Sequence, residues 1–268
     1  MLAKRIWVAV LLIPFGVGVI LWGGIAYVIV VSLILGIAGW EFGRLFAMIS
    51  EKPATGLIAA GCALLPFARA YLPPEIPIAL FGLFILIAMT LHLLRYEAGD
   101  NRAATSFAIT TCGLVYIGWI GSYLIPLRSL PNGVWWVLTI LPIVWMADAG
   151  AMFTGMRFGK RMLSPRLSPK KTWEGYYGGV LSGILGGMLL AALWGRMAPE
   201  ITLWKGALAG LILSGFTPLG DLGESMIKRQ VGAKDSGTLL PGHGGLFDRI
   251  DSWLWAAVIG YYFVYFLG

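Results

Sequence analysis

Charge is what this chain has least of. Of its 268 residues only 12% are Asp, Glu, Lys or Arg, while 58% are hydrophobic and the mean hydropathy is +0.81. A soluble domain carries about a quarter charged residues, so water alone cannot solvate this surface and a bilayer must be part of its solvent. Cysteine is nearly missing as well. Cys62 and Cys112 sit in apolar stretches with no second Cys or His at ligand spacing, which excludes a disulfide framework or a zinc site and leaves them as buried packing residues. Histidine is equally scarce: His92, near Arg95, reads as interfacial, and His243 lies in a glycine-rich run. The net charge of +7 does not require nucleic acid, because basic residues of a membrane protein fix its topology and meet anionic lipid.

What the chain has in abundance is long apolar runs. A membrane helix needs about 20 largely apolar residues. Nine segments qualify: 6–22, 25–47, 55–72, 76–94, 104–127, 134–153, 176–195, 203–220 and 252–267. The expected fold class is therefore all-α, a polytopic integral membrane protein with about nine transmembrane helices. Lys4-Arg5 ahead of Ile6 to Ile20 has the look of a signal peptide, but a second apolar segment follows at once, and the run reads as a retained first helix. With the N-terminus inside, sixteen Lys and Arg fall on the cytoplasmic side and four, Arg69, Arg128, Arg196 and Lys205, on the other. Such a bias sets orientation: the N-terminus is cytoplasmic and, after an odd number of spans, the C-terminus lies on the far side. Gly179, Gly183 and Gly187 recur every four residues, which lets another helix approach closely. Packing within the chain is the first reading of that row and a homodimer the second.

No internal repeat and no soluble domain boundary interrupts the chain, so a single membrane-embedded domain over 1–268 is expected. Two connections stand apart, 154–175 and 221–251, both long, polar and assigned to the cytoplasmic side. In the second, Asp221, Ser225 and Lys228 are spaced to share one helical face. Such groups at a membrane-embedded helix end are costly unless they bind something charged. Asp248 and Asp251 open the last apolar segment, where one of them can serve as a cap favoured by the macrodipole. Capping does not account for Asp221, Asp235, Asp248 and Asp251 gathered within thirty-one residues beside Lys228, Arg229, Lys234 and Arg249. Carboxylates with cations and glycine-rich backbone suit nucleotide phosphates and Mg²⁺, whose shell takes one or two protein carboxylates with water and phosphate oxygens. Asp148, a carboxylate near the cytoplasmic end of a span, is read as a metal, nucleotide or lipid-phosphate contact. Glu41 and Arg44 read as an interfacial pair with no stated role.

Ser225-Met226-Ile227-Lys228-Arg229, then Lys234-Asp235-Ser236-Gly237, then Leu240 through Asp251 (LPGHGGLFDRID) resembles the signature of the phosphatidate cytidylyltransferases, the CDP-diacylglycerol synthases, with no departure across its twenty-seven positions. Ser168-Pro169-Lys170-Lys171-Thr172-Trp173-Glu174-Gly175 resembles a second family segment. Asp148 to Lys160, with Gly155 and Gly159, resembles a third, in which Met152 stands for an aromatic and Met156 for a basic residue. The resemblance is close in the catalytic C-terminal half, 131–268, and extends to the N-terminal helices, 1–130, only as hydrophobic segments.

The resemblance implies that phosphatidate attacks the α-phosphorus of CTP, giving CDP-diacylglycerol and pyrophosphate in phospholipid synthesis at a bacterial inner membrane. It implies Mg²⁺ held by Asp221 and Asp248, with a second, monovalent cation left open. It further implies a site lined by Ser225, Lys228, Arg229, Lys234, Asp235 and Asp251, with Lys170 and Lys171 on the triphosphate and Asp148, His243 and Arg249 as substrate contacts. Two rival readings remain: a CTP-dependent polyprenol or dolichol-type kinase, and a transporter of an anionic solute. Transporters tend to bind at the midplane within repeated halves, whereas here the charges cluster at one face.

Overall fold

A computed structural model describes residues 13–239 and 244–268. Lys4, Arg5, the first seven residues of segment 6–22 and His243 lie outside the described residues. Eleven helices are seen among the described residues: α1 (Ile13–Trp22), α2 (Gly24–Ala47), α3 (Thr55–Tyr71), α4 (Glu75–Glu97), α5 (Ala103–Gly113), α6 (Leu124–Ser129), α7 (Gly133–Phe158), α8 (Trp173–Trp194), α9 (Leu203–Phe216), α10 (Pro218–Gln230) and α11 (Phe247–Leu267). A π-helical stretch, Leu114–Trp119, continues α5 toward α6. The departure from all-helix is one antiparallel hairpin, β1 (Met162–Ser164) with β2 (Ser168–Thr172).

Every apolar segment is helical where it is described, and the protein is a polytopic helical membrane protein. Among the described residues six helical segments are long and apolar enough to cross a bilayer, namely α2, α4, Ala103–Ser129, α7, α8 and α11. The others are shorter. The 17 residues of α3 rise about 26 Å and the 14 of α9 about 21 Å at 1.5 Å per residue, against a hydrocarbon core of about 30 Å. Segment 203–220 is shorter than expected because Pro218, suited to the first helical position, starts α10 instead of prolonging α9.

The residues form two compact units. The first contains the described residues up to Pro126 together with Gln230–Ile250, and the second contains Leu127–Arg229 and Asp251–Gly268.

In the first unit α2 and α3 approach closely at glycines: a Cβ on Gly39 would lie 2.8 Å from Cys62 Sγ, and one on Gly43 2.6 Å from Thr55 Oγ1. Cys62 is buried there, as expected, but Cys112 is exposed, so only one cysteine packs. His92, read as interfacial, is buried within this unit. It is 2% exposed, and its Nε2 lies 3.0 Å from the Thr110 hydroxyl, a partner that makes burial tolerable. The same helix α5 ties down the α2–α3 connection. Thr110 Oγ1 accepts from Ala54 N at 2.9 Å, and Ser106 Oγ accepts from Lys52 N at 2.9 Å while donating to Glu51.

In the second unit the glycine row of α8 packs within the chain. A Cβ on Gly183 would lie 2.6 Å from Ser214 Cβ, and Gly187 faces the backbone of Gly206 on α9. On other faces, Gly178 meets Thr154 and Gly186 meets Met146, both on α7.

Candidate active site

The second unit contains a cavity of about 660 Å³ whose walls include Asp148, Met152, Lys170, Lys171, Tyr176 and Asp221. Three local devices put the lysines there. Strand β2 carries both of them, and Thr172 at its end caps α8, its hydroxyl accepting from Gly175 N at 3.1 Å. Glu174, in the first turn of α8, accepts from Lys160 N and Arg161 N at 3.0 and 3.2 Å, holding the segment that leaves α7. Gly159 admits the strand: a Cβ there would lie 2.8 Å from Thr172 Cγ2. Lys170 and Asp148 are exposed, whereas Lys171 is partly covered and its Nζ lies 2.5 Å from Asp221 Oδ2.

Asp221 is one of three carboxylates that converge. Asp221 and Glu224, one turn apart on α10, and Asp251 on α11 bring ligand oxygens within 4.8 Å of one another. Gly220 allows this approach, because a Cβ there would run into the Asp251 carbonyl and lie 2.9 Å from Trp255 Cδ1. Glu224 and Asp251 are buried, and Asp148 and Lys171 lie within electrostatic reach of Asp251. Lys228 Nζ is 2.8 Å from Glu224 Oε2, and Ser225 Oγ makes a longer contact of 3.4 Å to Asp221 Oδ1. Arg229 is exposed. Three hard oxygen donors in that space suit a divalent cation such as Mg²⁺.

Of the other expected residues, Lys234, Asp235, Asp248 and Arg249 belong to the first unit. Asp248 Oδ2 accepts from Ser236 N at 2.8 Å, Ser236 Oγ at 2.9 Å and Gly245 N at 2.8 Å. Glu41 Oε2 accepts from Phe247 N at 2.8 Å and lies 3.2 Å from Ser236 Oγ. The glycines of this loop make room for these carboxylates. A Cβ on Gly237 would lie 2.5 Å from Glu41 Oε1, one on Gly245 2.5 Å from Glu41 Oε2, and one on Gly244 2.7 Å from Asp248 Oδ2. The anion that the Gly245 N–H meets is thus the protein's own carboxylate. Lys234, Asp235 and Arg249 are exposed.

The structure therefore gathers Asp148, Lys170, Lys171 and Asp221 at one cavity and joins Ser225, Lys228 and Asp251 to them through the carboxylate cluster. Of the expected metal pair, Asp221 is in that cluster, while Asp248 turns an oxygen to its own loop. Two residues were given no role in the site by the sequence. Glu224 had a signal, its i+3 spacing from Asp221. Glu41 is buried and bonded to the loop while Arg44 is exposed, so they are no interfacial pair. No local spacing announces a contact made across 206 residues.

A bundle of membrane-crossing helices with cations and carboxylates converging on a cavity defines a polytopic membrane enzyme. The chain belongs to the cytidylyltransferase family, whose profile, described as "Cytidylyltransferase family", matches residues 3–267. It is 36% identical over 262 residues to the phosphatidate cytidylyltransferase of Pseudomonas aeruginosa, covering 94% of this chain and 93% of that one. It is 31% identical over 252 residues to the phosphatidate cytidylyltransferase of Bacillus subtilis, covering 91% and 89%. A shorter match, 42% over 152 residues, links 56% of this chain to 55% of the phosphatidate cytidylyltransferase of Brucella suis.

Proposed function

We propose that this enzyme transfers the cytidylyl group of CTP to phosphatidate, releasing pyrophosphate and forming CDP-diacylglycerol in the bacterial inner membrane. The observation that carries this reading is the meeting, at one cavity, of Lys170 and Lys171 with Asp221, whose carboxylate clusters with those of Glu224 and Asp251. A phosphate oxygen of phosphatidate forms the new bond to the α-phosphorus of CTP, and the bond to the pyrophosphate oxygen breaks. The nucleophile is already an anion, so no strong general base is required. What the protein must supply is orientation and neutralisation of charge. Lys171 and Lys170 neutralise the triphosphate, and Asp148 faces the same cavity as a substrate contact. Asp221, Glu224 and Asp251 would hold Mg²⁺, which when bound neutralises charge on the attacking and leaving oxygens. Ser225 and Lys228 hold two of these carboxylates in place. Lys234 and Asp235 keep the site-lining roles, and Arg249 the substrate-contacting role, that the resemblance implies. The polar segments 154–175 and 221–251 are assigned to the cytoplasm, where CTP is, and Gly268 to the far side.

The test is product analysis with purified protein, phosphatidate, a polyprenol and CTP labelled at the α- or the γ-phosphorus. Lipid carrying the α label supports cytidylyl transfer. Lipid carrying the γ label points instead to a kinase, and no labelled lipid at all leaves transport as the surviving reading.

A further inference from the structure

Glu41 stands outside every motif the chain carries, yet it is buried at 7% exposure on a membrane-crossing helix. A carboxylate in that position is costly unless it is bound and has a task. Its partners define the task. Phe247 is the first residue of α11, and its N–H is one of the four donors that a helix start leaves unsatisfied. Glu41 Oε2 accepts that N–H at 2.8 Å, an anion at the positive end of the helix. The same oxygen lies 3.2 Å from Ser236 Oγ, which stands 2.9 Å from Asp248 Oδ2. Gly237 and Gly245 flank the carboxylate so closely that neither position has room for a Cβ. All of these residues belong to the first unit.

We infer that Glu41 is a positioning residue for the transfer reaction. It clamps the loop after α10 and the first turn of α11 onto α2, and so fixes the backbone bearing Lys234, Asp235, Asp248 and Arg249. The clamp is a set of hydrogen bonds accepted by an oxygen, not a charge offered to substrate. It therefore tolerates an amide in place of the carboxylate but not a methyl group. Its kinetic consequence rests on the cytidylyl transfer proposed above, while its structural consequence does not.

Glu41→Ala, Glu41→Gln and Ser236→Ala in the full-length enzyme test this in two ways. The first is hydrogen exchange of the substrate-free protein, read on peptides covering 231–239 and 244–250. Exchange should rise in Glu41→Ala and in Ser236→Ala and stay near the parent level in Glu41→Gln. The second is steady-state kinetics with CTP and phosphatidate. Displacement of reacting groups by about 1 Å costs on the order of 100-fold, so kcat of Glu41→Ala should fall by that order. Kcat of Glu41→Gln should stay within about tenfold, the difference between a charge-assisted and a neutral hydrogen bond. Equal loss in Glu41→Gln and Glu41→Ala would mean that the charge itself acts on substrate and would overturn the positioning role. So would unchanged exchange in the loop, or a loss of rate no larger than the loss of folded protein. If Glu41→Ala does not fold, the contrast between Glu41→Gln and Ser236→Ala decides the same question. Altered exchange in a protein whose parent makes no CDP-diacylglycerol would sink the functional reading and leave the clamp standing.

Discussion

Lys171 Nζ sits 2.5 Å from Asp221 Oδ2, so a lysine expected on the triphosphate already neutralises a carboxylate expected on the metal. In the proposed reading this one residue couples the nucleotide to the cation. Its neighbour Lys170 is exposed and has no such link to Asp221. Lys170→Ala and Lys171→Ala should each raise KM for CTP more than KM for phosphatidate. Lys171→Ala alone should also lower the Mg²⁺ concentration needed for half-maximal rate, because a competing cation has left the metal's carboxylate. Mg²⁺ titrations of both variants check this, and a Lys171→Ala enzyme that needs more Mg²⁺ refutes the coupling.

Asp221→Asn and Asp251→Asn should abolish turnover while the protein still folds. Losing a metal ligand removes several kcal/mol of transition-state stabilisation, about a thousandfold in rate. Asp248→Asn should differ in kind. Its Oδ2 accepts three donors, and an amide nitrogen placed there would face them. That variant should lose thermal stability as well as rate. Rate measurements beside melting curves in detergent separate the two classes, and a fully stable Asp248→Asn enzyme contradicts the structural role.

Much of this was legible in the chain, and the exceptions have physical reasons. The apolar runs became helices because a bilayer leaves the backbone no other local way to satisfy its hydrogen bonds. Gly183 and Gly187 meet Ser214 and Gly206 as the four-residue spacing suggested. Composition marks apolar runs but not where a helix ends, so α3 and α9, counted as spans, are shorter helices than the six long ones among the described residues. The signature of residues 225–251 was read as one constellation; Ser225 to Arg229 and Asp251 belong to the second unit, and Lys234 to Gly237 and Asp248 to the first. Glu41 was illegible for a related reason: its partners Ser236 and Phe247 lie 195 and 206 residues away.

Gly220→Ala tests whether close approach of α10 and α11 builds the carboxylate cluster. The added Cβ would meet the Asp251 carbonyl and Trp255, backbone and a large ring that cannot move aside cheaply. Overpacking of this kind costs about 1–3 kcal/mol, and the displaced Asp251 should weaken Mg²⁺ binding. A fall in melting temperature together with a raised Mg²⁺ requirement is expected. A variant with parental stability and parental Mg²⁺ response would show that residue 220 need not be glycine.

The orientation proposed for the membrane governs all of this, because CTP reaches only one face. The sixteen-to-four split of Lys and Arg favours a cytoplasmic location for both polar segments. Ser236 is buried between Glu41 and Asp248 and would report poorly on a thiol reagent, whereas Arg166 and Thr238 are exposed. Single cysteines at Arg166, Thr238 and Gly268, in a chain with Cys62 and Cys112 replaced, can be probed in intact cells with a membrane-impermeant thiol reagent. Positions 166 and 238 should label only after the membrane is breached, and position 268 at once. Labelling of 166 and 238 in sealed cells would invert the orientation and put the cavity on the side without CTP. Opposite behaviour of 166 and 238 would do more damage, since Lys170 and Lys171 could then not share a compartment with Lys234 and Asp235.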